Sequence, residues 1–265
     1  MTRNRALLDW YDRHGRDLPW RHTDDPWAIL VSEAMLQQTQ VSRVVPVYTA
    51  FLHRYPDPSS LAAAPMSEAI RAWGELGFLR RVIRLHAAAR VIADHGWPSD
   101  LRELPGVGRY TAAAVSVFAL GQPQAAIDVN GRRILSRWAG RPLTQREAES
   151  FGAEAVERER PADWNEAMMD LGATVCIARL PRCEVCPVAE WCADPAVQIP
   201  RRPQSPFEGS VRQARATVLK TLAAGAMPDD PSFVTGLDPA TVTAAVNALV
   251  DEGVIARADG ELRLG

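Results

Sequence analysis

Four cysteines fall inside one 17-residue window, spaced Cys176-x6-Cys183-x2-Cys186-x5-Cys192, and the chain has no others. A segment this short that gathers four thiols has little freedom to fold in any other way than around whatever they bind. An even count clustered so tightly in one stretch reads as a metal site rather than a disulfide framework. Structural zinc usually takes two matched Cys-x2-Cys knuckles. Here a single Cys-x2-Cys pair is flanked by longer gaps, which suits a cubane iron–sulfur cluster better; zinc on the same four thiolates is the alternative.

The chain is long enough, at 265 residues, for two or three compact lobes. Its 47% hydrophobic and 23% charged residues are ordinary for a soluble globular protein. The opening stretch, Met1 to Asp12, carries charges throughout and no apolar h-region, unlike a signal peptide. No apolar run reaches the roughly 18 residues that a membrane span needs, so a cytoplasmic location without membrane partners is expected. The net charge of −2 does not announce a nucleic-acid binder, and any such contact must come from local patches. Arg80, Arg81, Arg84 and Arg90 form one such patch, and Arg132, Arg133 and Arg137 another. On charge alone both read as solvated helix faces.

Apolar positions recur at three- and four-residue spacing over 26–38, 40–54, 67–75, 80–94 and 109–120, which predicts helices there. Further helix is expected at 128–139, 145–158 and 161–174. Residues 196–210 are rich in proline and read as a linker. Beyond it, helices at 211–224 and 238–252 precede two short strand-like runs joined by Asp259-Gly260, a hairpin signal. That order resembles a small winged-helix module over 211–265.

Three further motifs carry chemistry. In Leu104-Pro-Gly-Val-Gly-Arg-Tyr-Thr-Ala, Gly106 and Gly108 make a tight turn just before a helix. Backbone N–H groups and the helix dipole would favour an anion such as a phosphate there. An ordinary interhelical turn has the same look. Asp128, in Ala125-Ala-Ile-Asp-Val-Asn-Gly, begins a predicted helix; it reads first as an N-cap, a role compatible with facing a cleft. Glu33 stands inside the apolar run Ile29-Leu-Val-Ser-Glu-Ala-Met-Leu. Burial there would raise its pKa, which suits a general acid. Gln37, Gln38, Thr39 and Gln40 then close the helix with uncharged hydrogen-bonding groups.

Taken in order, these motifs resemble the helix-hairpin-helix DNA glycosylases of the endonuclease III superfamily, and most closely the adenine glycosylases of the MutY type. The likeness covers about residues 3–195 and rests on Gly15-Arg-Asp-Leu-Pro-Trp-Arg, Val31-Ser-Glu-Ala-Met-Leu-Gln-Gln-Thr-Gln-Val, Leu104-Pro-Gly-Val-Gly-Arg-Tyr-Thr-Ala, Asp128-Val-Asn, Ala167-Met-Met-Asp-Leu-Gly-Ala and the cysteine loop. It implies an all-α fold of two lobes with DNA between them. One lobe is a six-helix barrel at about 22–134, and the other joins the N-terminus to 135–195 and holds a 4Fe-4S cluster on Cys176, Cys183, Cys186 and Cys192. By the same resemblance Glu33 is the acid and Asp128 the second carboxylate, with Tyr110 and Asn130 beside them. Arg16, Trp20 and Arg21 belong to the adenine pocket. Leu36 and Gln38 enter or contact the opened stack, where the neighbouring Gln37 and Thr39 can read base edges; Phe78 is the wedge against the opposite base, and Leu104, Gly106, Val107 and Gly108 form the phosphate turn.

The implied reaction is excision of adenine mispaired with 8-oxoguanine or guanine in double-stranded DNA by a monomeric enzyme. Bifunctional relatives carry a lysine where this chain has Tyr110, which cannot form an imine, so the resemblance implies a monofunctional glycosylase leaving an abasic site. Two departures stand out. Glu75-Leu-Gly-Phe-Leu replaces the family's Gly-Leu-Gly-Tyr-Tyr. The expected larger C-terminal domain is replaced by the winged-helix-like module. The rival readings are a related glycosylase for another base, such as mispaired thymine or uracil, and a non-catalytic DNA-binding or redox-sensing protein.

Overall fold

The computed structural model describes residues 1–200 and 206–264; residues 201–205 of the expected linker lie outside the described residues. Helix dominates, as the periodicity requires. The helices are α1 (Arg3–His14), α2 (Pro26–Leu36), α3 (Val41–Arg54), α4 (Pro58–Ala62), α5 (Met66–Trp73), α6 (Arg80–His95), α7 (Arg109–Leu120), α8 (Val129–Trp138), α9 (Gln145–Ala155), α10 (Pro161–Thr174), α11 (Val211–Leu222) and α12 (Pro239–Asp251). Three short strands, β1 (Met227–Pro228), β2 (Ile255–Ala258) and β3 (Glu261–Leu264), pair antiparallel in the order β1-β3-β2. The periodicity reading leaves out α1 and α4, and it runs α2 two residues too far, to Gln38. None of the described helices is long and apolar enough to cross a membrane.

Local chemistry sets the helix ends. The Thr2 hydroxyl caps α1 by accepting from the Arg5 amide. Thr144 and Glu147 form a reciprocal capping box at the start of α9. Pro161 and Pro239 occupy first-turn positions of α10 and α12, where their missing N–H costs nothing. In the β2–β3 hairpin both central residues, Asp259 and Gly260, have positive φ (54° and 75°), as a two-residue turn of primed type demands.

The chain divides into two compact units. The first comprises residues 1–33 and 107–200, the second 34–106 and 206–264. In the first, α1 packs on α10, α10 on α8, and α8 on α9. Leu7, Ile134, Leu135, Trp164, Ala167 and Leu171 are fully buried at its centre, and Cys176, Cys186 and Cys192 lie against the same core. In the second, α4 and α5 pack on α6. Phe51 stands edge-on to both Tyr55 and Trp73, with centroids 5.0 and 5.9 Å away.

The C-terminal module belongs to this second unit. α11, α12 and β3 close a small core of Val218, Leu219, Val242, Ala245, Leu249 and Leu262, and Ile83 of α6 and Leu79 just before that helix pack against it. Polar contacts frame the seam: Arg71 donates to the Ala223 carbonyl at 2.8 Å, and Glu252 takes ion pairs from Arg80 and Arg215.

Leu135 is completely buried where α8 meets the core of the first unit. Leu135→Ala is expected to cost about 2–5 kcal/mol, from lost transfer energy and the cavity left behind. Urea unfolding checks this as a lower midpoint with an unchanged slope.

Candidate active site

Glu33 lies on α2 with only 6% of its surface exposed, next to Val31 and Ser32, which are equally buried. Deprived of water, its carboxyl is pushed up from 4.5 to about 7. Burial is the main cause and the nearby charge of Asp128 adds to it, while a hydrogen bond from the Tyr110 hydroxyl works the other way. Tyr110 sits in the first turn of α7, just after Gly108. Burial first, then the charges of Glu33 and Asp128, hold the phenol well above its ordinary value of 10.0, so it remains a donor.

Asp128 is the N-cap of α8. Its Oδ1 accepts from the Asn130 and Gly131 amides at 3.0 and 2.7 Å, and its Oδ2 accepts from Asn130 Nδ2 at 2.8 Å. Three N–H donors and the positive end of a helix therefore surround this carboxylate. The structure thus brings Glu33, Tyr110, Asp128 and Asn130 together in one unit. One carboxyl is made protonable by burial; the other is wrapped in donors.

Behind this group stands Arg133. Its guanidinium donates to Asn130 Oδ1 at 2.9 Å, to the Gly172 carbonyl at 2.7 Å and to the Cys176 carbonyl at 2.9 Å. One turn on, Arg137 donates to Cys176 Sγ at 3.1 Å and to the Ile177 and Ala178 carbonyls at 3.0 Å. Both arginines are buried, and so is Arg81 of the other unit. The charge patches are therefore split: Arg80, Arg84 and Arg90 are exposed, as a solvated helix face requires, whereas Arg81, Arg133 and Arg137 are drawn inside. The signal was present for α8: Arg133 and Arg137 share a face and flank the apolar pair Ile134 and Leu135. Gly172 lets α10 approach closely, since a Cβ there would lie 2.7 Å from Asn130 Cβ.

The four cysteines line one cavity of about 80 Å³, together with Arg137, Trp138, Leu171 and Val175. Among the described residues, no three Cys, His, Asp or Glu side chains converge tightly enough to ligate a single metal ion. Burial pushes the Cys186 thiol up to about 11 and raises Cys192 as well, with the other thiols adding charge repulsion. Four thiolates would stand together there only around a positively charged body, and the open cavity suits one larger than a single ion.

Sequence reasoning missed where Arg16 and Arg21 are anchored. Asp170, 1% exposed, accepts from the Arg16 amide and Nε and from both terminal nitrogens of Arg21. Glu166 pairs with Arg21 Nε at 3.0 Å and also accepts from the Tyr11 hydroxyl. These bonds fix the short turn Pro19–Arg21 that carries Trp20. Two acidic residues four apart on the apolar helix α10 were the available clue. Leu36, Gln37, Gln38, Thr39, Phe78, Leu104 and Gly106 belong to the second unit, and Val107 and Gly108 lead into α7 in the first. Gly106 has a φ of +83°, and a Cβ there would meet Arg84 Cβ at 2.8 Å, so only glycine fits that turn. Arg81 ties Gln37, Thr39 and Gly77 together.

Residues 31–158 match the HhH-GPD superfamily, described as base excision DNA repair proteins. The adenine DNA glycosylase of Mycobacterium tuberculosis is 41% identical over 283 residues, covering 97% of this chain and 92% of the relative. A solved thermostable thymine-DNA glycosylase is similar with a TM-score of 0.68 at 31% identity, over 72% of this chain and 93% of that one. An endonuclease III trapped as a covalent intermediate on DNA shares the fold, with a TM-score of 0.63 at 21% identity over 74% of this chain and 97% of that one.

The raised pKa of Glu33 has a consequence for stability. Between pH 4.5 and about 7 the folded protein keeps a proton that the unfolded chain has lost, so this group lowers stability as pH rises through that window. Glu33→Gln removes the penalty. The variant is expected to melt at a higher temperature than the native protein at pH 8, with the gap closing toward pH 5. A gap independent of pH would contradict the burial argument.

Proposed function

The chain belongs to the HhH-GPD superfamily of base excision DNA repair proteins, in its adenine DNA glycosylase branch, and from that premise we propose that it removes adenine mispaired with 8-oxoguanine or guanine, leaving an abasic site. It is an N-glycosylase that acts on DNA. The observation that carries the reading is the pair of unlike carboxyls: Glu33, with a pKa of about 7, and Asp128, held by three N–H donors at a helix N-terminus. Splitting two carboxyl environments in this way assigns an acid and a charge stabiliser.

A glycosidic bond inside a duplex is out of reach, so the target nucleotide must leave the stack. Glu33 gives its proton to the purine ring, and the bond between C1′ and the base nitrogen breaks with its electron pair on adenine. Positive charge develops on the sugar, and the Asp128 carboxylate faces it, either electrostatically or by transient capture. Water adds its oxygen to C1′, and the proton it releases restores the acid. Asn130 holds Asp128 in place, and Tyr110 donates to Glu33. Tyr110 has no amine to form an imine, which makes the enzyme monofunctional.

On this reading Arg16 and Arg21 shape the adenine pocket and present Trp20. Leu36, Gln37, Gln38, Thr39 and Phe78 meet the opened duplex, and the turn Leu104, Gly106, Val107, Gly108 takes a phosphate. The protein acts as a monomer in the cytoplasm on nucleoid DNA. Cys176, Cys183, Cys186 and Cys192 would hold a 4Fe-4S cluster; the shared cavity and the mutual repulsion of the thiols support this. When bound, such a cluster supplies a structural cross-link for the loop 176–192.

The test is a panel of duplexes carrying adenine opposite 8-oxoguanine, guanine, cytosine or thymine, together with one carrying thymine opposite guanine, treated with and without alkali. Cleavage at adenine that needs alkali is expected for the first two. Glu33→Gln should slow excision by about 10²-fold or more, and native activity should fall as pH rises through about 7. Borohydride should trap no covalent adduct. The likeness to a thymine-DNA glycosylase favours a second reading, excision of mispaired thymine; cleavage confined to thymine opposite guanine would establish it.

A further inference from the structure

Among the described residues only three besides glycine have positive φ: Gln38 (56°), Phe78 (48°) and Asp259 (54°). Asp259 is explained by its hairpin. The other two lie 40 positions apart in the second unit and are both on the surface; Phe78 is 57% exposed. A left-handed backbone at a bulky residue persists only where the surroundings impose it. No packing of the exposed Phe78 ring into a core imposes it here.

One buried side chain reaches both turns. Arg81, 9% exposed, sends Nη1 to the carbonyls of Ala34 (3.1 Å), Met35 (2.7 Å) and Gln37 (2.5 Å). Its Nη2 goes to Thr39 Oγ1 (3.0 Å) and to the carbonyls of Leu76 (3.2 Å) and Gly77 (3.1 Å). The guanidinium thus bonds on both sides of Gln38 and to the residue before Phe78. It also lies 5.2 Å from the Phe78 ring centroid and 5.5 Å from that of Trp73. Trp73 Nε1 donates to the same Gly77 carbonyl at 3.2 Å. The Nε of Arg81 is left buried without a partner. A group placed for stability alone would not bury an unsatisfied donor; one placed to span two turns is constrained to that position.

We propose that Arg81 is a positioning residue that locks the Gln38 turn and the Phe78 turn into one rigid, strained element, so that both engage the opened duplex together. This rests on the adenine-excision reading for the identity of the substrate, though not for the clamp itself. A planar fork with donors on two edges is required. Lysine has one ammonium with three donors and cannot bridge the two sides.

The experiment is a double-mutant cycle between Arg81→Met and Phe78→Ala, with Thr39→Val and Phe78→Ala as a second cycle that trims one clamp bond and leaves Arg81 in the interior. Two readouts are taken. One is single-turnover excision of adenine opposite 8-oxoguanine. The other, needing no bond cleavage, is the fluorescence rise of 2-aminopurine placed beside the mispair when the protein binds. Thermal melts report folding. Phe78→Ala is expected to reduce both signals about tenfold in the native background, and less than about twofold once Arg81 is Met, because the ring is then no longer presented. Arg81→Lys should behave as Arg81→Met. The Thr39 cycle should show the same coupling at smaller size. Additive effects in both cycles, or full activity of Arg81→Lys, would overturn the clamp. Native protein that unstacks 2-aminopurine with the expected coupling but excises no adenine would overturn the adenine reading and leave the clamp standing.

Discussion

Asp128 satisfies two amides at the N-terminus of α8, and the rest of its unit is arranged around that helix. A cap of this kind is worth about 1 kcal/mol, small beside the burial of Ile134, Leu135 and Trp138 on the same helix. Its geometric effect is larger. The carboxylate cannot turn away without leaving the Asn130 and Gly131 amides unpaired. Asn130 in turn is held by Arg133, which also grips the backbone of α10 and of the cysteine loop. Two buried arginines on one helix carry a large desolvation cost, and the carbonyls they bond offset it. A residue read first as a helix cap is therefore also the one whose charge acts on Glu33.

Glu33 shows the opposite use of environment. It lies among apolar side chains, with Tyr110 as its hydrogen-bond donor, and the field of Asp128 opposes its ionisation. Two side chains of the same chemical class thus sit in unlike environments, one dry and the other wrapped in N–H donors.

Much of this is legible in the sequence. The apolar run around Glu33 foretells its burial, Asp128 stands where a cap belongs, and Asp259-Gly260 marks its hairpin. The cysteine spacing foretells four thiols gathered at one place, and all four line one cavity. What stays hidden depends on contacts between distant segments. Arg81, Arg133 and Arg137 look like surface charge because nothing near them in the chain announces the carbonyls they reach. Arg16 and Arg21 look free because Asp170 lies about 150 positions away. The end of α2 at Leu36 rather than Gln38 follows from the left-handed Gln38, whose stabilising partner is 43 positions on. Periodicity reports which face of an element is apolar; it does not report which polar group will be drawn inside.

The packing of Leu79 and Ile83 against the core of the C-terminal module bears on how such a protein can diversify. The module is not a bead on a string, since part of its interior is covered by Leu79 and Ile83, just before and at the start of α6. A recombination event that exchanged the segment after the linker would deliver a new module without its complementary seat. A changed module interior therefore calls for matching changes at Leu79 and Ile83, two positions far from it in the chain. Swapping this module between relatives, in nature or in the laboratory, amounts to a graft of two discontinuous pieces of chain.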